Sequence, residues 1–311
     1  MISRRTILKS LAALIASSFA TAAYGVGIEA RGHRVTRYRL TPPSWPVDLA
    51  LKIAVVADIH ACEPWMGIER IRRIVDETNT LGADIILLLG DFPAGHTLLR
   101  FAQKIAPRDW AGELKRLAAP LGVHAVLGNH DWWEEKLVQY RRSGPTPAHR
   151  ALADVGIPVQ ENQAVRIVHQ GRAFWLAGLG DQWAFWPRDR DWRRSGRKIP
   201  YEGIDDLPGT LAMVTDDAPV ILMAHEPDIF PEVPKRVSLT LSGHTHGGQV
   251  ALAGYTPVVP SRFGARYVYG HMVEGGRHII VSAGLGCSGL PIRFGSPPEI
   301  VEITLGGQGV A

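Results

Sequence analysis

Hydrophobic residues in this chain gather in short, nearly unbroken runs more often than they alternate with polar ones. Such runs occupy residues 53–57, 85–89, 123–127, 220–223 and 237–241. Apolar segments of this length, bounded by turn formers, predict strands buried on both faces. Between them the period changes. Ile71, Ile74, Val75 and Thr78 sit at helical spacing and predict a helix over 68–81. Residues 98–105 and 111–117 read as helical pieces, and 148–155 as a short helix ending at Gly156. Val35, Tyr38 and Leu40 mark an opening edge strand within 28–40. Residues 166–179 alternate around turn signals and predict a hairpin, while 276–282 and 299–305 read as late strands. The pattern is that of an α/β chain, with strand–helix alternation early and strand-rich structure late.

Each buried run gives way to polar residues of a recurring kind. Asp58-Ile59-His60, Gly90-Asp91, Gly128-Asn129-His130-Asp131, Ala224-His225-Glu226 and Gly243-His244-Thr245-His246 all come directly after a predicted strand. Side chains at several strand ends can converge on one point in space. Carboxylate, imidazole and carboxamide together suit manganese, iron(II), zinc or cobalt. Cysteine is absent from the five motifs, unlike a structural thiolate zinc site. Nitrogen is too abundant for a magnesium or calcium cage. Seven donors exceed the needs of one ion, and with a shared carboxylate they fit two ions roughly 3.5–4 Å apart.

The five motifs in this order resemble the calcineurin-like metallophosphoesterase superfamily. The resemblance implies a four-layer αββα fold, two mixed sheets face to face and flanked by helices. It implies that Asp58, His60 and His246 hold one divalent ion, that Asn129, His225 and His244 hold a second, and that Asp91 bridges them. It gives His130 a place facing substrate, as general acid or electrostatic stabiliser, with the adjacent Asp131 able to orient its ring. The chemistry implied is in-line attack on phosphorus by a hydroxide held between the ions. Further along, 243–249, 225–228, 284–286 and 290–295 resemble an exported or membrane-associated bacterial branch of phosphodiesterases, over about residues 27–305. Hydrolysis of the pyrophosphate in UDP-2,3-diacylglucosamine is an alternative activity. A metal-bearing envelope protein that binds without turnover is a rival of another class.

The first 26 residues read differently from the rest. Ser3-Arg4-Arg5-Thr6-Ile7-Leu8-Lys9 resembles a twin-arginine export signal, followed by a weakly hydrophobic, Ala- and Ser-rich stretch and the small-X-small site Ala20-Thr21-Ala22. Residues 1–26 are thus expected to be a cleaved signal or an uncleaved anchor, and 27–311 a single catalytic domain, acting outside the cytoplasm. Partners are then the export machinery and a phosphate ester, with membrane association open. Net charge is +4 over 311 residues, and Arg4, Arg5 and Lys9 supply three of those charges. The remainder is nearly neutral, which excludes the extended basic face of a nucleic-acid binder. Cys62 and Cys287 are the only cysteines, and an exported chain could bridge them. Trp132, Trp133 and His96 are candidate substrate contacts. Residues 181–201 combine aromatics with Arg and Lys, a composition suited to covering a phosphate ester or meeting a membrane surface.

Overall fold

The computed structural model describes residues 3–95, 102–188, 201–252 and 254–307. The buried runs form two mixed sheets packed face to face. The first has the order β1 (Arg34–Leu40), β13 (Glu299–Leu305), β2 (Leu51–Val56), β4 (Ile85–Leu88), β6 (Val123–Ala125). The second has the order β11 (Gly270–Glu274), β12 (Arg277–Val281), β10 (Val237–Ser242), β9 (Val220–Met223), β8 (Arg172–Gly178), β7 (Gln163–His169). Strands β2, β4 and β6 are parallel, as are β8, β9, β10 and β12. The opening strand β1 lies parallel to β13, which runs antiparallel to β2.

Period-two packing explains the unbroken runs. Ile53, Val55, Ile85 and Leu87 pack between the sheets against Leu176, Ile221, Met223 and Leu241. Their neighbours Ala54, Val56, Ile86 and Leu88 point the other way, into helices α2 (Ile68–Thr80), α3 (Pro107–Leu114) and α6 (Pro147–Asp154). On the far face Trp175, Val220 and Leu222 pack against Leu207 of the short helix Leu207–Ala212 and against Phe230. Both faces of each central strand are therefore apolar, and each fully buried aliphatic side chain contributes about 1.5–3 kcal/mol. Four layers result.

Three local expectations change. Of the helical piece expected over 98–105, residues 98–101 lie outside the described residues, and Gln103–Lys104 instead form a short strand, β5, paired with β3 (Cys62–Glu63). The helix expected at 111–117 begins earlier, with Pro107 in its first turn, where a missing N–H costs nothing. Cys62 and Cys287 are buried free thiols and form no bridge; burial pushes the Cys62 thiol up to about 11.

At the N-terminus Ser3 caps helix α1 (Arg4–Gly27), its hydroxyl accepting the Thr6 N–H at 3.1 Å. No described helix is long and apolar enough to cross a membrane. The foot of α1 is fastened to the body: the Arg293 N–H donates to the Gly25 carbonyl at 3.1 Å, and Tyr24 meets Phe294 edge-on.

Candidate metal centre

The carboxyl ends of β2, β4, β9 and β10 bring the motif residues together in two buried clusters. Asp58, His60, Asp91 and His246 form one, and Asp91, His225 and His244 the other; within each, the potential ligand atoms lie within 4.8 Å of one another. A single oxygen of Asp91 faces both. Asp91 Oδ2 is 3.5 Å from His60 Nε2 and 3.3 Å from His225 Nε2. Asn129 belongs with the second cluster, its Oδ1 lying 2.9 Å from His244 Nδ1.

The backbone is distorted to achieve this. Asp58, His60, Asp91, His244 and His246 all have φ between +49° and +68°, a region that non-glycine residues enter at a cost on the order of 1–3 kcal/mol each. The loops are tied down by hydrogen bonds that extend the β2–β4 pairing past the strands: Asp58 N–H to Gly90 O, His60 N–H to Asp91 O, and Ala61 N–H to Phe92 O, at 2.8–3.0 Å. Gly128 is required by crowding. A Cβ there would lie 2.4 Å from Asp91 Oδ1 and 2.5 Å from His225 Cε1.

The polar atoms fit divalent ions. Asp58 Oδ2 is buried with no hydrogen-bond partner among the described residues, although Oδ1 accepts the His244 N–H at 2.9 Å. His60 Nε2 and His246 Nε2 face each other at 3.0 Å, a contact that two lone pairs cannot make without a proton or a cation between them. His225 donates its Nδ1–H to the Leu89 carbonyl at 2.6 Å, which turns Nε2 toward Asp91 and is the usual outer contact of a metal-binding imidazole. Burial pushes the Asp58 carboxyl up to about 7. Burial would also raise Asp91, but the His225 imidazole and then His130 hold it well below the usual carboxylate range. His244 and His246 are driven well below the ordinary histidine value, first by burial and then by the neighbouring His225 and Arg293 respectively.

His130 stands outside both clusters. Its ring lies edge-on to His60, 5.0 Å between centroids, and its side chain keeps 12% exposure. Nε2 is 3.2 Å from Ser288 Oγ and Nδ1 is 3.8 Å from Glu134 Oε1. Burial lowers its pKa, yet Asp91 and Glu134 outweigh burial and leave the ring above its ordinary value. Asp131 does not orient this ring. Its Oδ2 accepts the N–H groups of Gly128 and Asp91, and its Oδ1 that of Phe92, so it clamps two motif loops together. Glu134, at the end of the short helix Asn129–Trp133 that carries His130, is the acid that faces this ring.

The two tryptophans part company. Trp132 is 2% exposed and packs in the helical layer against Phe185, so it is core and not a substrate wall. Trp133 lies 5.2 Å from the His130 ring and stacks with Trp186 and Tyr201, its indole N–H donating to the Trp183 carbonyl at 2.7 Å. Trp183 in turn sits edge-on to His244 at 4.4 Å. The aromatic part of 181–201 thus borders the centre through Trp183, Trp186 and Tyr201; His96 and 189–200 lie outside the described residues.

Comparison with known proteins agrees with this geometry. Residues 51–248, which carry all seven potential ligands, match the calcineurin-like phosphoesterase family. The chain belongs to that family. It is a metal-dependent phosphoric ester hydrolase. Among its relatives this phosphoesterase is 28% identical to the uncharacterized metallophosphoesterase YkuE of Bacillus subtilis, over 97% of each chain. It is 31% identical to the phosphodiesterase YaeI of Escherichia coli, over 98% of this chain and all of that one. A dimetal phosphatase from Danio rerio aligns with 76% of this chain and 88% of its own at 14% identity and a TM-score of 0.44, too loose a likeness to carry an argument.

Ser288, Glu134 and Arg293 were not anticipated as site residues. Arg293 is wholly buried and donates to the carbonyls of Gly286, His246 and Ser296 and, from Nη2, to His246 Nδ1 at 3.0 Å. Its place within 290–295, a segment already notable in the sequence, was the available signal.

Proposed function

We propose that the phosphoesterase hydrolyses phosphodiesters in the cell envelope, with Asp58, His60 and His246 holding one divalent ion, Asn129, His225 and His244 a second, and Asp91 both. The observation that carries the reading is His130, a protonatable ring beside the shared carboxylate that belongs to neither cluster. Two bound ions would supply Lewis acidity toward the phosphoryl oxygens and would lower the pKa of a bound water. His130 does the proton work. The Glu134 carboxylate, 3.8 Å from Nδ1, favours the protonated ring, and Nε2 is the atom that would donate to the departing oxygen. Trp133, Trp186 and Tyr201 offer an aromatic wall of mutually tilted rings for the organic group on that oxygen. The Escherichia coli relative is named a phosphodiesterase, which supports a diester in preference to a monoester.

The test is turnover by the manganese-loaded protein of bis(4-nitrophenyl) phosphate, 4-nitrophenyl phosphate and a nucleotide-sugar pyrophosphate, with His130→Ala alongside. We expect the diester to be preferred at least tenfold in kcat/KM. The variant should keep its metals and lose roughly 10²–10⁴ in rate on diesters with poor leaving groups, and less on nitrophenyl esters, which need little protonation. Preference for the monoester or the nucleotide sugar would overturn the diester assignment.

Export by the twin-arginine route is part of the same reading. Arg4 and Arg5 stand exposed at the start of α1, and the described contacts of that helix with the body begin at Tyr24, so cleavage after Ala22 would leave them intact. Arg4→Lys with Arg5→Lys should hold the protein in the cytoplasm, measured by fractionation and the mass of the N-terminus. Normal export of that variant would contradict the route.

A further inference from the structure

A groove of about 450 Å³ leads away from the metal centre, and the chemistry above makes no use of it. Its volume falls within the roughly 300–1,000 Å³ of small-molecule sites. At the inner end lie His246 and Ser288, the latter in contact with His130. Beyond them the walls are Val250, Val258, Leu290 and Ile292, with two prolines. No Asp, Glu, Lys or Arg is among the described lining residues. Val258 is 72% exposed and Leu290 52%. Single exposed aliphatic side chains are ordinary, but several converging on one cleft mark a surface that something apolar covers.

The groove is a built feature. Gln249, at φ +54°, spans its floor: its Oε1 accepts the Ser288 N–H at 2.5 Å, and its Nε2 donates to the Leu290 carbonyl at 3.4 Å. The outer end is equally fixed. Ile292 packs against Gly25, where a Cβ would come within 3.1 Å of its Cγ1, and the next residue hydrogen-bonds the Gly25 carbonyl. The groove therefore runs from the reacting centre to the foot of helix α1. A second phosphate, a sugar or a nucleotide would find too few polar partners along this path, and its desolvation would go uncompensated. A hydrocarbon chain needs none.

We propose that this groove seats an acyl or alkyl chain of the substrate, so that the phosphodiester held at the metal centre is lipid-like. The proposal rests on the phosphodiesterase reading above for the position of the phosphate. The test uses manganese-loaded full-length protein and methyl, butyl and octyl 4-nitrophenyl phosphate below their micellar concentrations. The leaving group is the same in each, so only the chain differs. Each methylene fully removed from water is worth up to roughly fourfold. We expect kcat/KM to rise by at least ~30-fold from methyl to octyl. The double variant Val258→Asp/Leu290→Asp should keep its two metals and bring the octyl-to-methyl ratio close to one. A flat series in the wild type, or a chain-length gain that survives in the variant, overturns the proposal; the second result would point to a general surface effect or a partner elsewhere. If no diester is turned over, the phosphodiesterase reading fails by itself. The groove is then judged by calorimetry: octylphosphonate should bind the wild type at least tenfold more tightly than methylphosphonate and lose that margin in the variant. Equal binding of the two phosphonates to the wild type overturns the groove assignment independently of turnover.

Discussion

The two halves of the candidate metal centre share Asp91 but differ in what backs one histidine of each. In the second half, His225 Nδ1 meets a carbonyl, Leu89 O. In the first half, His246 Nδ1 meets a guanidinium, Arg293 Nη2. A carbonyl accepts a proton on Nδ1 and leaves Nε2 free for a metal; a guanidinium can only donate, and so forces the ring's own proton onto Nε2. His60 is consistent with this, since its Nδ1–H donates to Pro93 O and its Nε2 is left to accept from His246. Loading the second half displaces a proton from His225, which Asp91 has raised well above its ordinary value against the effect of burial, and leaves a neutral imidazole already aimed. Loading the first half requires the His246 proton to move from Nε2 to Nδ1, where the guanidinium opposes it. Seven candidate ligands that look equivalent in sequence thus have unequal surroundings, and the proposed first ion should be the more labile.

The largest effect tests what the halves share. Asp91→Asn should strip both ions and lower activity by on the order of 10³ or more, because the ions supply several kcal/mol of transition-state stabilisation. Elemental analysis and turnover would show it, and loss of one ion alone would mean that Asp91 is not shared. A smaller effect separates the halves by pH. Burial lifts Asp58 to about 7, so loading the first half displaces a proton only below about that pH. Its affinity should fall on the order of tenfold per pH unit below 7 and level off above it, while the second half, which displaces the His225 proton, keeps its slope across that range. Calorimetric titration at pH 6, 7 and 8 would reveal the difference, and identical profiles would remove the asymmetry. The smallest effect is the sharpest: Arg293→Gln gives His246 Nδ1 a carbonyl-type acceptor in place of a donor. The first ion should then bind on the order of tenfold more tightly. Carbonyls left without a donor should also destabilise the fold by about 1–3 kcal/mol, read from the melting temperature. An unchanged affinity would show that Arg293 does not set the proton.

The same contrast explains how much was legible in the sequence. The strands and the potential ligands could be read because each is a local pattern: an apolar run, then a fixed short motif. The supports behind the ligands could not. Arg293 reaches His246 across 47 positions, and Ser288 reaches His130 across 158, so no window of sequence holds both partners. Gln103–Lys104 became a strand because Cys62–Glu63 lies beside it, a nonlocal pairing that local helical spacing cannot reveal. Trp132 and Trp133 are neighbours in sequence but about 100° apart around a helix, which sends one into the core and the other toward His130. Asp131 was misassigned for a similar reason: beside His130 in the chain, it turns instead to the N–H groups of Gly128, Asp91 and Phe92.

The central claim is that one carboxylate joins two ions at a single site. Electron paramagnetic resonance of the protein titrated with manganese(II) tests it directly. The account predicts that a signal from isolated ions appears first, as the second half fills, and is replaced at two ions per chain by the spectrum of an exchange-coupled pair. Saturation at one ion per chain, or two ions with no coupling between them, would contradict it.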